Sequence, residues 1–302
     1  MENDQPYNIE IPNYKIRIVN VDYLKDLRDS IENLNKQKCF DKEFYDERLA
    51  SFDYQPPKDF PDAKSIFIVA LRDPIISFTF YWKGKEIRAF VPPTYIHHRE
   101  KNQRSMVILN EYFGNNQLKL VQANLPKKLL AVSGGLGDYG RNNIVYVGGM
   151  GSYHRLMAFY SDYPPEQDVW RGPQMMAACE HCDACFRNCP VGAISKDRFL
   201  IRAEHCLTYW NEKPQNINFP NWIKPDWHNC LIGCMRCQSI CPEDRDVWKY
   251  IEDGCNFSEV ETRQMADGVP IEDMPSDLRE KLARWDLVDI YEYIPRNLAA
   301  LL

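Results

Sequence analysis

The chain has 302 residues, 44% of them hydrophobic and 26% charged, which are ordinary globular values and enough length for two domains with separate cores. Its 43 acidic residues outnumber 37 basic ones, and the net charge of -6 argues against a broad phosphate-neutralising surface, so nucleic acid is not expected as a partner. The longest apolar runs, Ile66 to Leu71 and Leu129 to Val132, are far too short to span a bilayer, and Met1-Glu2-Asn3-Asp4 does not begin a secretory signal. No membrane association is expected, and the expected location is the cytoplasm, where thiols stay reduced.

In chain order, residues 1 to about 60 mix polar helix-like stretches, such as Tyr23 to Asn35, with the loop Tyr54 to Lys58. Strand signals follow at Ser65 to Leu71, then at Ile75 to Trp82 and Lys85 to Val91 on either side of Lys83-Gly84, which reads as a hairpin. A helix is predicted over His98 to Phe113, with Met106, Leu109, Asn110 and Phe113 near one face and Gly114-Asn115 as its stop. Pro126 opens a short helix over Lys127 to Val132, and Asn142 to Val147 returns as a strand. Interleaved strands and helices predict an α+β class, a mixed α/β sandwich, for residues 1–160. Pro164-Pro165 and Gly172-Pro173 then mark a boundary. Residues 161–255 read as short helices and loops with a Trp-rich connection, Trp210 to Trp227, and residues 256–302 read as a helical tail with a helix start at Ser276.

The middle region carries two cysteine ladders. The first is Cys179-x2-Cys182-x2-Cys185-x3-Cys189-Pro190; the second is Cys234-x2-Cys237-x3-Cys241-Pro242, with Cys206 and Cys230 upstream. This spacing wraps thiolates around a cuboidal iron–sulfur cluster, and the Cys before Pro ligates the neighbouring cluster. Structural zinc gains nothing from a third Cys followed by Cys-Pro, and a disulfide framework needs an oxidising compartment. Two [4Fe–4S] clusters, and hence electron transfer, are the reading. Cluster one takes Cys179, Cys182, Cys185 and Cys241; cluster two takes Cys234, Cys237, Cys189 and either Cys206 or Cys230. Cys206 is preferred because it approaches from a separate segment, whereas Cys230 lies only four residues before Cys234. Cys39 and Cys255 lie outside both ladders and read as small buried hydrophobes.

Gly135, Gly137 and Gly140 satisfy G-x-G-x-x-G, yet the stretch follows a helix signal and runs into a strand, the reverse of a dinucleotide-binding fingerprint.

Taken in order, Gly135 to Asn143, Cys179 to Ile194, His205 to Tyr209 and Gly233 to Pro242 resemble the epoxyqueuosine reductase and reductive dehalogenase superfamily over roughly residues 60–245. The resemblance implies a nitroreductase-like cobalamin domain followed by a ferredoxin-like double [4Fe–4S] domain, and it assigns Cys206 as a cluster ligand. It further implies that a ferredoxin or flavodoxin feeds electrons through the clusters to base-off cobalamin, which becomes a strong cob(I) nucleophile. The Gly-rich stretch, with Gly135, Leu136, Gly137, Gly140, Arg141 and Asn142, would then bring backbone close to the corrinoid, since glycine removes the Cβ clash. Ser152 and Tyr153 would line the same pocket.

Arg88 to Arg104 contains no Asp to match the family's acidic proton donor, so proton delivery would fall to Tyr95, His97 or His98. The acidic balance, the missing Asp and the absence of a helical-repeat extension favour a cobalamin- and iron–sulfur-dependent reductase of a small molecule or of another protein's corrinoid. The alternatives are an electron-transfer or corrinoid-activating protein, and a tRNA epoxyqueuosine reductase. Respiratory dehalogenases would carry a twin-arginine signal, and no such pair stands near the start.

Overall fold

The apolar runs of the N-terminal half become two sheets, and the computed structural model describes residues 13–113, 118–165 and 169–302. The larger sheet has the order β1 (Tyr14–Asn20), β2 (Ser65–Arg72), β8 (His154–Ser161), β5 (Leu120–Gln122), with every neighbour antiparallel. β2 is buried on both faces, which explains its unbroken apolar run. Ile66, Ile68 and Ala70 face α1 (Leu24–Lys36) and α4 (Lys127–Ser133), while Phe67, Val69 and Leu71 face Leu109 of α3 (His98–Tyr112). Helices therefore cover both sides of this sheet. Gly114 and Asn115, read above as the stop of α3, lie outside the described residues.

The hairpin forms as expected from β3 (Ile75–Trp82) and β4 (Lys85–Val91), turning at Lys83-Gly84 with both residues at positive φ. Asn142 to Val147 is shorter than the sequence suggested: only β7 (Val145–Tyr146) is strand, paired with β6 (Asp138–Tyr139). Asn142 takes the amide of Ile144 on its own Oδ1, and Asn143 sits at φ 56, so these two residues build a turn rather than a ladder.

The C-terminal residues are not a separate tail. β9 (Ile251–Phe257) straddles the expected 255/256 boundary and runs parallel to β3, giving a second sheet of order β4-β3-β9. α8 (Glu259–Ala266) starts on a Ser258–Glu261 capping box, and α9 (Ser276–Arg284) starts at the Ser276 read from the sequence. With α10 (Ile294–Leu301), they bury Met265, Leu278, Leu282, Ile294 and Leu298 against Phe78, Phe80 and Phe257. The cluster region is thus a long insertion between β8 and β9 of one α/β unit. Among the described residues no helix is long and apolar enough to cross a membrane.

The rings of Phe80 and Phe257 stack at 4.9 Å across the β3–β9 pairing. Phe257→Ala is expected to lower stability by about 3–5 kcal/mol in urea unfolding. A loss under about 1 kcal/mol would show that the C-terminal helices do not share the core of the hairpin.

Candidate functional site: two thiol nests and a shared cavity

The first ladder is held from the Gly-rich stretch. Arg141 donates from Nη2 to the Cys179 carbonyl at 2.6 Å and from Nε to the Cys182 carbonyl at 3.1 Å. Asn143 bridges to the following segment, donating to the Phe199 carbonyl at 3.0 Å and accepting from the Ile201 amide at 2.8 Å. α5 (Ala184–Asn188) carries Cys185 and α7 (Arg236–Ser239) carries Cys237, and the Asn188 amide ties the two by donating to the Arg236 carbonyl at 2.6 Å.

These ties gather the thiols into two groups. Cys185 is raised to about 11, first by burial and then by the charges of Cys179, Cys241 and Cys182. Cys234 is raised to about 12, by burial and by Cys206 and Cys189. Cys237 stands well above its ordinary value for the same reasons and also feels Cys185, so the two groups adjoin. Buried thiols crowded together resist ionising unless a cationic centre compensates them, and iron supplies that charge. Among the described residues no three His, Cys, Asp or Glu side chains gather on a single ion.

Cys189, Cys206, Cys234 and Cys237 line one largely apolar cavity of about 160 Å³, with Leu207 and Ile194 in its wall. Cys230 is absent from that lining; it is fully buried beside Phe90, with its Sγ 3.4 Å from Asn229 Oδ1. Cys39 is partly exposed and Cys255 lies in β9, away from both groups.

A second cavity of about 700 Å³ abuts the first. Lys128, Ile144, Thr208 and Cys234 line both, so one thiol of the second ladder forms part of the wall of the larger space. That volume lies within the ~300–1,000 Å³ range of ligand and cofactor pockets. Arg48, Lys127, Lys128 and Arg155 are among its lining residues. Arg155 Nε and His154 Nδ1 are buried without a hydrogen-bond partner, and so is Tyr153 Oη next to them. Burial pushes His154 down to about 4, so its ring is neutral and can accept. The polar groups of Ser152, Thr208, Gln238 and Arg155 in the lining suit a ligand with a polar fringe, and the side-chain amides of a corrinoid fit that description.

Of the proposed corrinoid contacts, Ser152 lines the cavity. It donates from Oγ to Asp244 Oδ2 at 2.6 Å and from its amide to Asp244 Oδ1 at 2.7 Å, and it accepts from Gln238 at 2.9 Å. Tyr153 is buried behind it. The Gly-rich stretch is elsewhere. A Cβ on Gly137 would stand 2.3 Å from the Tyr146 carbonyl, and one on Gly140 would stand 2.5 Å from both Asn142 and the Tyr146 ring. These glycines are required by the chain's own turn; Leu136 packs in the core of the larger sheet, Gly135 sits beside Val169, Arg141 grips the first ladder and Asn142 lines the smaller cavity.

The proton-donor candidates separate as well. Tyr95 lines the large cavity, but His97 does not: it caps α3 at φ 58 with Nδ1 3.3 Å from Asp286 and faces a different cavity of about 240 Å³. The adjacent left-handed turn swings the two residues to opposite sides. His98 opens α3, and its side chain lies outside the described residues.

No motif marks two further cavity residues. Lys213 pairs with Glu43 at 3.1 Å and Glu47 at 2.5 Å, and Tyr209 donates to Glu47 at 2.9 Å, clamping α2 (Lys42–Arg48) onto α6 (Leu207–Asn211). The clamp brings Arg48 within 3.1 Å of Glu212, whose other oxygen accepts from Tyr95 Oη at 2.5 Å. Gly233 seats Tyr95, since a Cβ there would lie 2.7 Å from the phenol ring. The Gly233 carbonyl accepts from Asn211, and Asn297 of α10 donates to the carbonyls of Asn211 and Leu231, so the C-terminal helix reaches into the same support.

A family model described as a 4Fe-4S double cluster binding domain matches residues 178–244. The chain is 25% identical to the epoxyqueuosine reductase of Salmonella typhimurium over 65% of its length, and 27% identical to that of Burkholderia pseudomallei over 54%. Its fold is similar to epoxyqueuosine reductase from Bacillus subtilis, with a TM-score of 0.63 at 20% identity, covering 95% of this chain and 77% of that one. These matches support the epoxyqueuosine reductase-like superfamily. The aligned parts span 48% and 36% of the two curated relatives, half their length or less.

An epoxyqueuosine reductase solved with an epoxyqueuosine-modified tRNA stem loop is also similar, with a TM-score of 0.63 at 18% identity over 97% of this chain and 78% of that one. The expectation that nucleic acid is excluded is therefore corrected. Net charge sums the whole chain, whereas Arg48, Lys127, Lys128 and Arg155 outnumber Glu212 and Asp289 around one cavity.

Cys206→Ser is expected to lower iron from about eight to about four atoms per chain after reconstitution, with Cys230→Ser leaving it near eight. Iron analysis giving the reverse pattern would assign the eighth ligand to Cys230.

Proposed function

We propose that this chain is an iron–sulfur oxidoreductase of the epoxyqueuosine reductase type, acting on an epoxyqueuosine-type modification in tRNA. The observation that carries the reading is the wall shared by the two cavities: Cys234 belongs to the thiol nest on one side and to the ligand space on the other. Electrons gathered by the clusters need no further carrier to reach a ligand there. The N-terminal unit, with helices on both faces of its sheet, is read as the nitroreductase-like partner of the cluster domain.

The larger cavity is assigned to base-off cobalamin, whose cobalt supplies a strongly nucleophilic, low-potential centre when reduced. Ser152, held by Asp244 and Gln238, is rigid enough to orient the fringe of such a ligand, and His154 and Arg155 line the same space. Arg48, Lys127, Lys128 and Arg155 draw substrate phosphates to the cavity. Tyr95 keeps its proton at neutral pH, because burial and the neighbouring Glu212 raise it well above its ordinary value, so its hydroxyl can donate to a leaving oxygen. Glu180 and His181, exposed beside Cys179 and Cys182, offer a low-potential donor such as ferredoxin or flavodoxin a face near cluster one.

Protein reconstituted with iron, sulfide and cobalamin is expected to remove one oxygen from epoxyqueuosine tRNA under low-potential reduction, read by nucleoside mass spectrometry. Reducible clusters with no turnover of that tRNA would favour an electron-transfer or corrinoid-activating role instead.

A further inference from the structure

Three side chains from separate parts of the chain meet at the cavity wall: Tyr95 after β4, Glu212 after α6 and Arg48 at the end of α2. Glu212 has 22% of its side chain accessible, and it lines the large cavity. One carboxyl oxygen meets the phenol at 2.5 Å and the other meets the guanidinium at 3.1 Å. Arg48 also donates to the Glu212 backbone carbonyl at 3.4 Å, which fixes the acid from both ends. Such a carboxyl is held at both oxygens, and part of it stays accessible at the cavity wall.

We propose that Glu212 is the proton reservoir of the site, resupplying Tyr95 after its hydroxyl has protonated the substrate oxygen, with Arg48 holding the carboxylate that results. This deepens the reading given under the previous heading and rests on it. Removing the epoxide oxygen as water breaks two C–O bonds and takes two protons and two electrons, so the relay runs twice. Each time the Tyr95 O–H bond breaks as an O–H bond forms on the leaving oxygen; the hydrogen bond that Tyr95 donates to Glu212 at rest then reverses, the Glu212 O–H bond breaks as the Tyr95 O–H bond re-forms, and Glu212 regains its proton from water. The two electrons come from the clusters, reduced in two steps by a low-potential one-electron donor.

Burial strengthens the hold of Glu212 on a proton. Burial pushes its carboxyl above the usual carboxylate range, against the opposing pull of the Tyr95 hydrogen bond, Arg48 and Lys128. Tyr293 also feels the Glu212 charge. Arg48 then changes from a neighbour of a neutral acid to the partner of an anion as the proton leaves, which stabilises the charged product of the transfer. Glu212 lies six residues beyond Cys206 and shares no hydrogen bond with a cluster thiol among the described residues.

The test compares wild type, Glu212→Gln, Glu212→Asp and Tyr95→Phe, each loaded with clusters and checked for equal iron content. Difference infrared spectroscopy across a pH titration, which needs neither cobalamin nor substrate, should show a protonated carboxylic acid near neutral pH that disappears in Glu212→Gln and shifts in Tyr95→Phe. Turnover of Glu212→Gln should fall by about 10²–10⁴-fold, with the alkaline limb of its pH profile, where a proton source is lost as pH rises, abolished and partial recovery in Glu212→Asp. Absence of the acid band in wild type, or a Glu212→Gln pH profile equal to wild type, overturns the proposal. Should wild type fail to turn over any tRNA while the acid band is present and responds to Tyr95→Phe, the reservoir stands and the assigned substrate falls.

Discussion

The arrangement depends on burying ionisable sulfur, where burial opposes the thiolate form and a cationic centre favours it. Eight thiols are drawn into two adjoining groups by Arg141, Asn143, Asn188 and short helices, and burial with mutual repulsion raises the thiols of both groups. Without a cationic centre these thiols keep their protons; with one, the thiolates form and the burial around them tunes how readily electrons enter. Cys234 gives this nest a direction, because its other side is the wall of the larger cavity.

The insertion between β8 and β9 explains how the nest is aimed. Strand β9 returns the chain to the side of β3, and α10 sends Asn297 beneath Asn211 and Leu231, close to the seat of Tyr95. One α/β unit thus holds both ends of the cluster segment. A change in the C-terminal helices can reach the cavity through Asn297 and Gly233 without touching a cysteine.

Local signals were read well from sequence because their causes are local. The β3–β4 hairpin, α1, α4 and the start of α9 follow from Lys83-Gly84, from apolar spacing, and from Pro126 and Ser276. Cysteine spacing marked the cluster region for the same reason. Long-range features were hidden. Nothing in Ile251 to Phe257 announces a parallel partner more than 170 residues away, so the C-terminal residues looked like a tail. The Gly-rich run suggested a ligand because close approach is what glycine permits, but the approaching group is Tyr146 of the same turn. Arg48 and Glu212 are ordinary surface types in sequence, and only the clamp of α2 onto α6 makes them face one cavity. His97 failed as a cavity residue because its left-handed backbone turns it away from Tyr95.

The central claim is that the second cluster lies against the cavity that holds the reacting ligand. Electron paramagnetic resonance of the reduced clusters, with cob(II)alamin added as a paramagnetic probe, measures this most directly. The account predicts magnetic coupling between the probe and one cluster, lost in Cys234→Ser; independent, unbroadened signals from probe and clusters would contradict it.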